Sequence, residues 1–220
     1  MAGLLCLQGG RELTPPCEEM DAEVLERVDG PVAVLAGAAR PGSDYAGASG
    51  RARRHYEGLG AAVVIVPDPR EGQAPALDAL DGVAMVVLPG GSPGGLLDVL
   101  TGPVGERLVE LHRSGVLLSG ASAGAMVLCA RTALPDRGGT TGAGLGLVPG
   151  LALPHWSPGS DRRWSVGDGL LWGLPECGGV LVDGDDVSAV GQGRASVRTG
   201  DVWRELPRRP MSSMSELIGT

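Results

Sequence analysis

SGVLLSGASAGAMVLCAR, residues 114–131, reads as a strand, a turn and a helix in immediate succession. Val116, Leu117 and Leu118 form a short apolar run that stops at Gly120-Ala121-Ser122-Ala123-Gly124, and an apolar helical pattern resumes through Met126, Val127 and Cys129. Strand, Gly-x-Ser-x-Gly, helix is the context that holds a serine on a sharp, strained turn above a parallel sheet. The flanking glycines let the backbone turn where a Cβ would clash. The helix N-terminus behind the turn favours negative charge developing near the hydroxyl. The plain alternative is a tight strand-to-helix turn in a glycine-rich chain. The full context favours Ser122 as a nucleophile.

Outward from this stretch, short apolar runs alternate with helical patterns. Strands are expected at residues 4–7, 32–36, 62–66 and 84–88, and helices at 17–28, 43–59, 77–80, 96–100 and 104–113. Such alternation argues for βαβ units around a parallel sheet, whose strands are buried on both faces and read as continuous apolar runs. Ligands of these sheets bind beyond the carboxyl ends of the strands. Gly9-Gly10, Gly90-Gly91 and Ser122 all fall at such ends. Beyond residue 130 the pattern changes. Residues 133–168 are rich in glycine and proline and read as long loops over the crevice, a length that is usually functional in a compact domain. A terminal hairpin is expected from residues 179–182 and 187–190, extended by 195–197. The 220 residues are read as one α/β domain over 1–207, with 208–220 a mobile tail lacking a core pattern.

Composition excludes several chemistries. The chain has no Lys and no Asn, so neither a Schiff base, a Ser-Lys dyad nor a Cys-His-Asn triad is available. A net charge of -8 and the lack of a basic stripe argue against nucleic acid. Cys6, Cys17, Cys129 and Cys177 show no metal-ligand spacing, and Cys6 and Cys129 fall in apolar runs as small core residues. The start, MAGLLCLQGG, lacks the pattern of a signal peptide, and no run approaches the length of a membrane span, so a cytoplasmic location is expected.

A catalytic serine needs a base, and the chain offers three histidines. His55 sits on a charged helix, and His112 ends a helix, where a cation complements the dipole. His155, in Leu153-Pro154-His155-Trp156-Ser157, lies in the loop region over the crevice and is left as the base. The last histidine precedes most downstream acids, so the order Ser122, His155, acid differs from that of α/β-hydrolases. Asp161, Asp168, Glu176 and the Asp183/Asp185/Asp186 turn are the downstream candidates. The turn acids suit a hairpin loop, and Glu176 stands just before a strand. Asp136, in a loop after the nucleophile helix, is a candidate pocket residue.

Four segments carry a resemblance: VVLPGGSPGGLL (86–97), SGASAGAMVLC (119–129), GLVPGLALPHW (146–156) and GLPECGGVLV (173–182). In these the chain resembles the dipeptidase E and cyanophycinase-like serine peptidases of the class I glutamine amidotransferase-like, flavodoxin-like fold. The resemblance implies a three-layer, mostly parallel sheet with a C-terminal β-hairpin. It implies a triad of Ser122, His155 and Glu176, with an oxyanion hole on the N–H groups of Gly91 and Ala123. Gly90 and Ser92 would line the substrate pocket. It implies a small peptide as substrate, no cofactor and no metal, and allows a homodimer.

The chain departs from its relatives in having Ser92-Pro93 followed by two glycines, and a shorter stretch between His155 and Glu176. Arg162 or Arg163 could read a carboxylate bidentately, the peptide's terminal one or an acidic side chain, the latter favouring an acidic first residue; the alternative is a solvated pair that neutralises Asp161 and Asp168. The leading function is an exo-acting dipeptidase. The alternatives are an inactive homologue serving as a scaffold, a glutamine amidotransferase-like amidohydrolase, and a nucleotide-binding flavodoxin-like protein. The amidotransferase chemistry calls for Cys at the elbow and His-x-Glu, against Ser122 and His155-Trp156-Ser157 here.

Overall fold

The computed structural model describes residues 2–160, 169–208 and 212–218. In chain order the first half contains β1 (Leu5–Gln8), α1 (Glu18–Leu25), β2 (Val32–Val34), α2 (Ser43–Gly58), β3 (Val63–Ile65), α3 (Gln73–Asp78), β4 (Met85–Leu88), α4 (Pro93–Leu100) and α5 (Pro103–Arg113). The elbow follows as β5 (Leu117–Ala121) and α6 (Ala123–Leu128). Then come β6 (Cys129–Leu134), β7 (Thr140–Ala143), β8 (Val148–Leu153), β9 (Leu171–Gly173), β10 (Gly178–Asp183), β11 (Asp186–Gly191), β12 (Ser196–Thr199), β13 (Val202–Glu205), β14 (Ser212–Ser213) and α7 (Met214–Ile218).

The main sheet runs β14-β11-β10-β1-β5-β4-β2-β3. Its five strands β3, β2, β4, β5 and β1 are parallel, and β10 and β11 add an antiparallel hairpin beside β1. Successive side chains of a strand point to opposite faces, and the core divides accordingly. Leu5, Leu7, Val86 and Leu88 face a core shared with α4, α5 and α6. Cys6, Met85 and Val87 face the other way, onto Met20 and Val24 of α1 and Ala52 and Tyr56 of α2. Both faces are covered, which is why these strands read as unbroken apolar runs. The three-layer α/β reading therefore holds.

Part of the region read as long loops, residues 133–153, instead contributes the end of β6, β7 and β8 to a second sheet, ordered β13-β12-β9-β8-β6-β7. Strands β6, β8 and β9 are parallel, with antiparallel edges at β7 and β12–β13. Pro149 and Gly150 lie inside β8, and a register irregularity interrupts β6 between Cys129 and Arg131. Proline and glycine weaken a strand's local signal, and here tertiary burial overrides it: Val148, Leu151, Ala152 and Leu153 are fully buried. Residues 195–197, expected to extend the terminal hairpin, contribute instead to β12, which pairs with β9 and β13. The tail read as having no core pattern supplies β14, paired with β11, and a buried Leu217. Among the described residues no helix is long and apolar enough to cross a membrane.

Two histidine side chains are buried. His55, on the charged helix as expected, turns its ring inward: its Nε2 lies 2.7 Å from Asp21 Oδ2, and both side chains are buried. His112 is buried as well, and desolvation followed by the adjacent Arg113 charge lowers its pKa, so it does not serve as a dipole-complementing cation at neutral pH. The sign of the consequence is fixed. The unfolded chain takes up a proton near the ordinary histidine pKa that the folded chain resists, so stability is full above that value and falls as pH drops below it. The gap in urea midpoint between wild type and His112→Gln should move in the variant's favour from pH 7 to pH 5; a pH-independent gap would contradict this.

Candidate active site

Ser122 stands between β5 and α6 with φ 49° and ψ −108°, a backbone conformation costly for a residue with a side chain. The elbow is enforced by contact on both sides. A Cβ on Gly120 would lie 2.4 Å from the Gly124 carbonyl carbon, and one on Gly124 would lie 2.1 Å from the Leu88 carbonyl oxygen. Only glycine lets the helix fold back this tightly over β5 and β4. The Ser122 N–H donates to the Gln8 carbonyl at 2.9 Å, fastening the turn to β1. Gln8 is itself held from below: its Nε2 donates to Asp21 Oδ1 at 2.7 Å and to Ser119 Oγ at 3.3 Å. The buried His55–Asp21 pair thus anchors the strand end against which the serine is set.

The histidine and the acid come from the second sheet. Strands β8 and β9 are parallel neighbours, so their following loops leave at the same edge. His155 follows β8 and Glu176 follows β9. The glycine pair after β1 brackets both loops: the His155 N–H donates to the Gly9 carbonyl at 2.7 Å and the Cys177 N–H to the Gly10 carbonyl at 3.0 Å. Beside His155, the buried Trp156 packs at a tilt against Trp203 of β13, with ring centroids 4.9 Å apart and planes at 38°. His155 and Cys177 both adopt φ 52°, so each loop turns sharply at the site.

These supports bring three side chains into line. Ser122 Oγ lies 3.2 Å from His155 Nε2, and His155 Nδ1 lies 3.2 Å from Glu176 Oε1. A carboxylate accepts only, so the Nδ1–H donates to Glu176 and leaves Nε2 free to accept from the serine hydroxyl. Arg11 Nη1 stands 3.8 Å from Glu176 Oε2, and the side chains of His155 and Glu176 are about half exposed. Among the described residues, neither the Gly91 N–H nor the Ala123 N–H has a protein acceptor; the latter opens α6, where no intrahelical partner exists.

The remaining expected site residues have other engagements. Ser92 Oγ accepts from the Gly95 N–H at 2.8 Å and donates to Asp136 Oδ2, which also accepts from the Gly94 N–H at 3.0 Å. Ser92 and Asp136 together cap α4. The Gly90 N–H is taken by Glu12 Oε1 at 2.8 Å. Arg162 and Arg163, and with them Asp161 and Asp168, lie outside the described residues. Glu12 was not singled out in the sequence, because Arg11-Glu12-Leu13 matches no motif and reaches the site only through the turn after β1.

All four cysteines are buried, and desolvation pushes the Cys6, Cys17 and Cys129 thiols up to about 12. They are poor nucleophiles in that state. Among the described residues no group of three or more His, Cys, Asp or Glu is placed to hold a metal ion.

A family model described as peptidase family S51 matches residues 23–185. A crystal structure of a peptidase from an acI-B1 Actinobacterium superposes with a TM-score of 0.79 at 22% identity, covering 96% of this chain and 97% of that one. A peptidase E-like protein from Listeria monocytogenes EGD-e superposes with a TM-score of 0.67 at 16% identity, covering 88% of this chain and 100% of that one. At these identities the likeness concerns the fold. Comparison with curated proteins gave no match.

Proposed function

Because the chain belongs to peptidase family S51 and is a serine-type peptidase, we propose that it cleaves small peptides as a dipeptidase through Ser122, His155 and Glu176. The observation that carries this reading is the pair of 3.2 Å contacts linking the three side chains around a strained elbow. His155 Nε2 takes the Ser122 proton as Oγ attacks the peptide carbonyl, and Glu176 orients the ring and stabilises the imidazolium. The tetrahedral oxyanion forms between the N–H groups of Gly91 and Ala123, donors whose loss in other enzymes costs about 2.7–4 kcal/mol each. The imidazolium returns its proton to the leaving amine as the C–N bond breaks. Water then enters, gives a proton to His155 and its oxygen to the acyl carbon, and the imidazolium returns that proton to Ser122 Oγ as the acyl–oxygen bond breaks.

A thiol-dependent amidotransferase reading lacks a nucleophile here, since the elbow holds a serine and the cysteines are buried. Exposure of the wild type to a fluorophosphonate probe, with peptide mapping of the adduct, is expected to place the label on Ser122, alongside release of free amino acids from dipeptides. Absence of both labelling and hydrolysis would sink this reading.

A further inference from the structure

The loop that follows β1 carries a carboxylate to the edge of the proposed nucleophile's space, and the catalytic steps above do not use it. Glu12 Oε1 accepts from the Gly90 N–H at 2.8 Å. A Cβ built on Gly90 would lie 2.6 Å from Glu12 Oε1 and 3.1 Å from Ser122 Cβ. The carboxylate and the serine therefore flank one small space, which exists because residue 90 is glycine. The loop is shaped to hold the glutamate there. Arg11 and Leu13, on either side of it, adopt φ 56° and 61°. The Arg11 carbonyl is fixed by Thr14 Oγ at 2.6 Å and by Cys17 Sγ at 3.1 Å. Left-handed backbone at two side-chain-bearing residues so close together is maintained only where the surroundings impose it.

The charge at this point is unmatched. Among the described residues no cation pairs with Glu12, and Oε2 has no hydrogen-bond partner. The neighbouring Arg11 is directed to Glu176 instead. A half-buried carboxylate with one oxygen tied to the backbone and the other free is complementary to a cationic donor. In a peptide whose first carbonyl is attacked by Ser122, the group one atom beyond that carbonyl's α-carbon is the terminal α-ammonium. We propose that Glu12 binds the free α-ammonium of the substrate and so determines that the enzyme acts at peptide N-termini. In an internal or N-acylated peptide the same nitrogen is a neutral amide N–H that carries an acyl group, so the charge-assisted bond is lost and the acyl group must be fitted beside the carboxylate; both effects select against it.

The proposal rests on the Ser122 peptidase reading for its substrate, and its test is built so that the two can fail separately. Binding of Ala-Leu and N-acetyl-Ala-Leu is measured by calorimetry to Ser122→Ala and to Ser122→Ala/Glu12→Gln, with no turnover required. Glutamine keeps an acceptor for the Gly90 N–H and removes the charge. In the Ser122→Ala protein the free peptide should bind about 10–150-fold more tightly than the acetylated one, the range of a charge-assisted hydrogen bond. In the double variant that ratio should collapse to below about threefold. A purely structural role would shift both peptides equally and preserve the ratio. A preserved ratio, or no preference in Ser122→Ala to begin with, overturns the proposal. Ser122→Ala/Glu12→Ala is a second variant with the same expected collapse should the glutamine variant misfold. Failure of the peptidase reading appears independently, as no fluorophosphonate adduct on the wild type.

Discussion

Ser122→Ala is expected to lower kcat by about 10^6-fold, the scale seen when a nucleophile that acts as a unit with its base is removed. The fold should survive the change. The hydroxyl's one hydrogen bond within the described structure is to the half-exposed His155, and alanine meets the same backbone demand at φ 49° as serine does. The unfolding free energy from urea titration should stay within about 0.5 kcal/mol of wild type, as for substitutions that break no buried contact. The measurement is steady-state hydrolysis of a dipeptide panel by purified protein with circular dichroism matched to wild type. Retained turnover in a correctly folded variant would falsify the assignment of the nucleophile.

The second large effect is expected at Glu176. Glu176→Gln should lower kcat by about 10^3–10^4-fold, because an amide neither fixes the Nδ1–H tautomer reliably nor stabilises the imidazolium. Asp136→Asn is the comparison that gives this meaning. Asp136 is bonded to Ser92 and to the N-terminus of α4, and asparagine keeps the acceptor oxygen while losing the charge there, so the change should register as a stability cost of about 0.3–1 kcal/mol, with a much smaller effect on kcat. The two variants should therefore separate on different axes, turnover for one and unfolding midpoint for the other. Near-native kcat in Glu176→Gln, with a loss of several orders of magnitude in Asp136→Asn, would transfer the acid's role to Asp136.

Both predictions depend on loops that meet only in three dimensions. His155 and Glu176 are 21 positions apart in the chain and stand side by side because β8 and β9 pair in parallel. The carbonyls of Gly9 and Gly10 then hold the two loops against the end of β1. Removing charge from Glu12 should alter substrate selection, whereas changes at Ser122 or Glu176 should alter turnover. That division follows from where the side chains lie: one beside Gly90, the others in a line through His155.

What the sequence by itself determined was the local and strongly patterned part of the molecule. The continuous apolar runs of the parallel strands follow from burial on both faces, and the glycines around Ser122 follow from a turn that admits no Cβ. Each is a short-range constraint and leaves a short-range signature. Only the tertiary structure decided the rest. The second sheet includes β8, whose apolar pattern is interrupted by Pro149 and Gly150 and whose pairing is imposed by burial in the core rather than by local preference. His55 reads from the sequence only as part of a charged helix, and its side chain is buried against Asp21, 34 positions away. Glu12 carried no motif and reaches Gly90 across 78 positions. A polar side chain's partner is set by the path of the whole backbone, and no periodicity of a few residues records it.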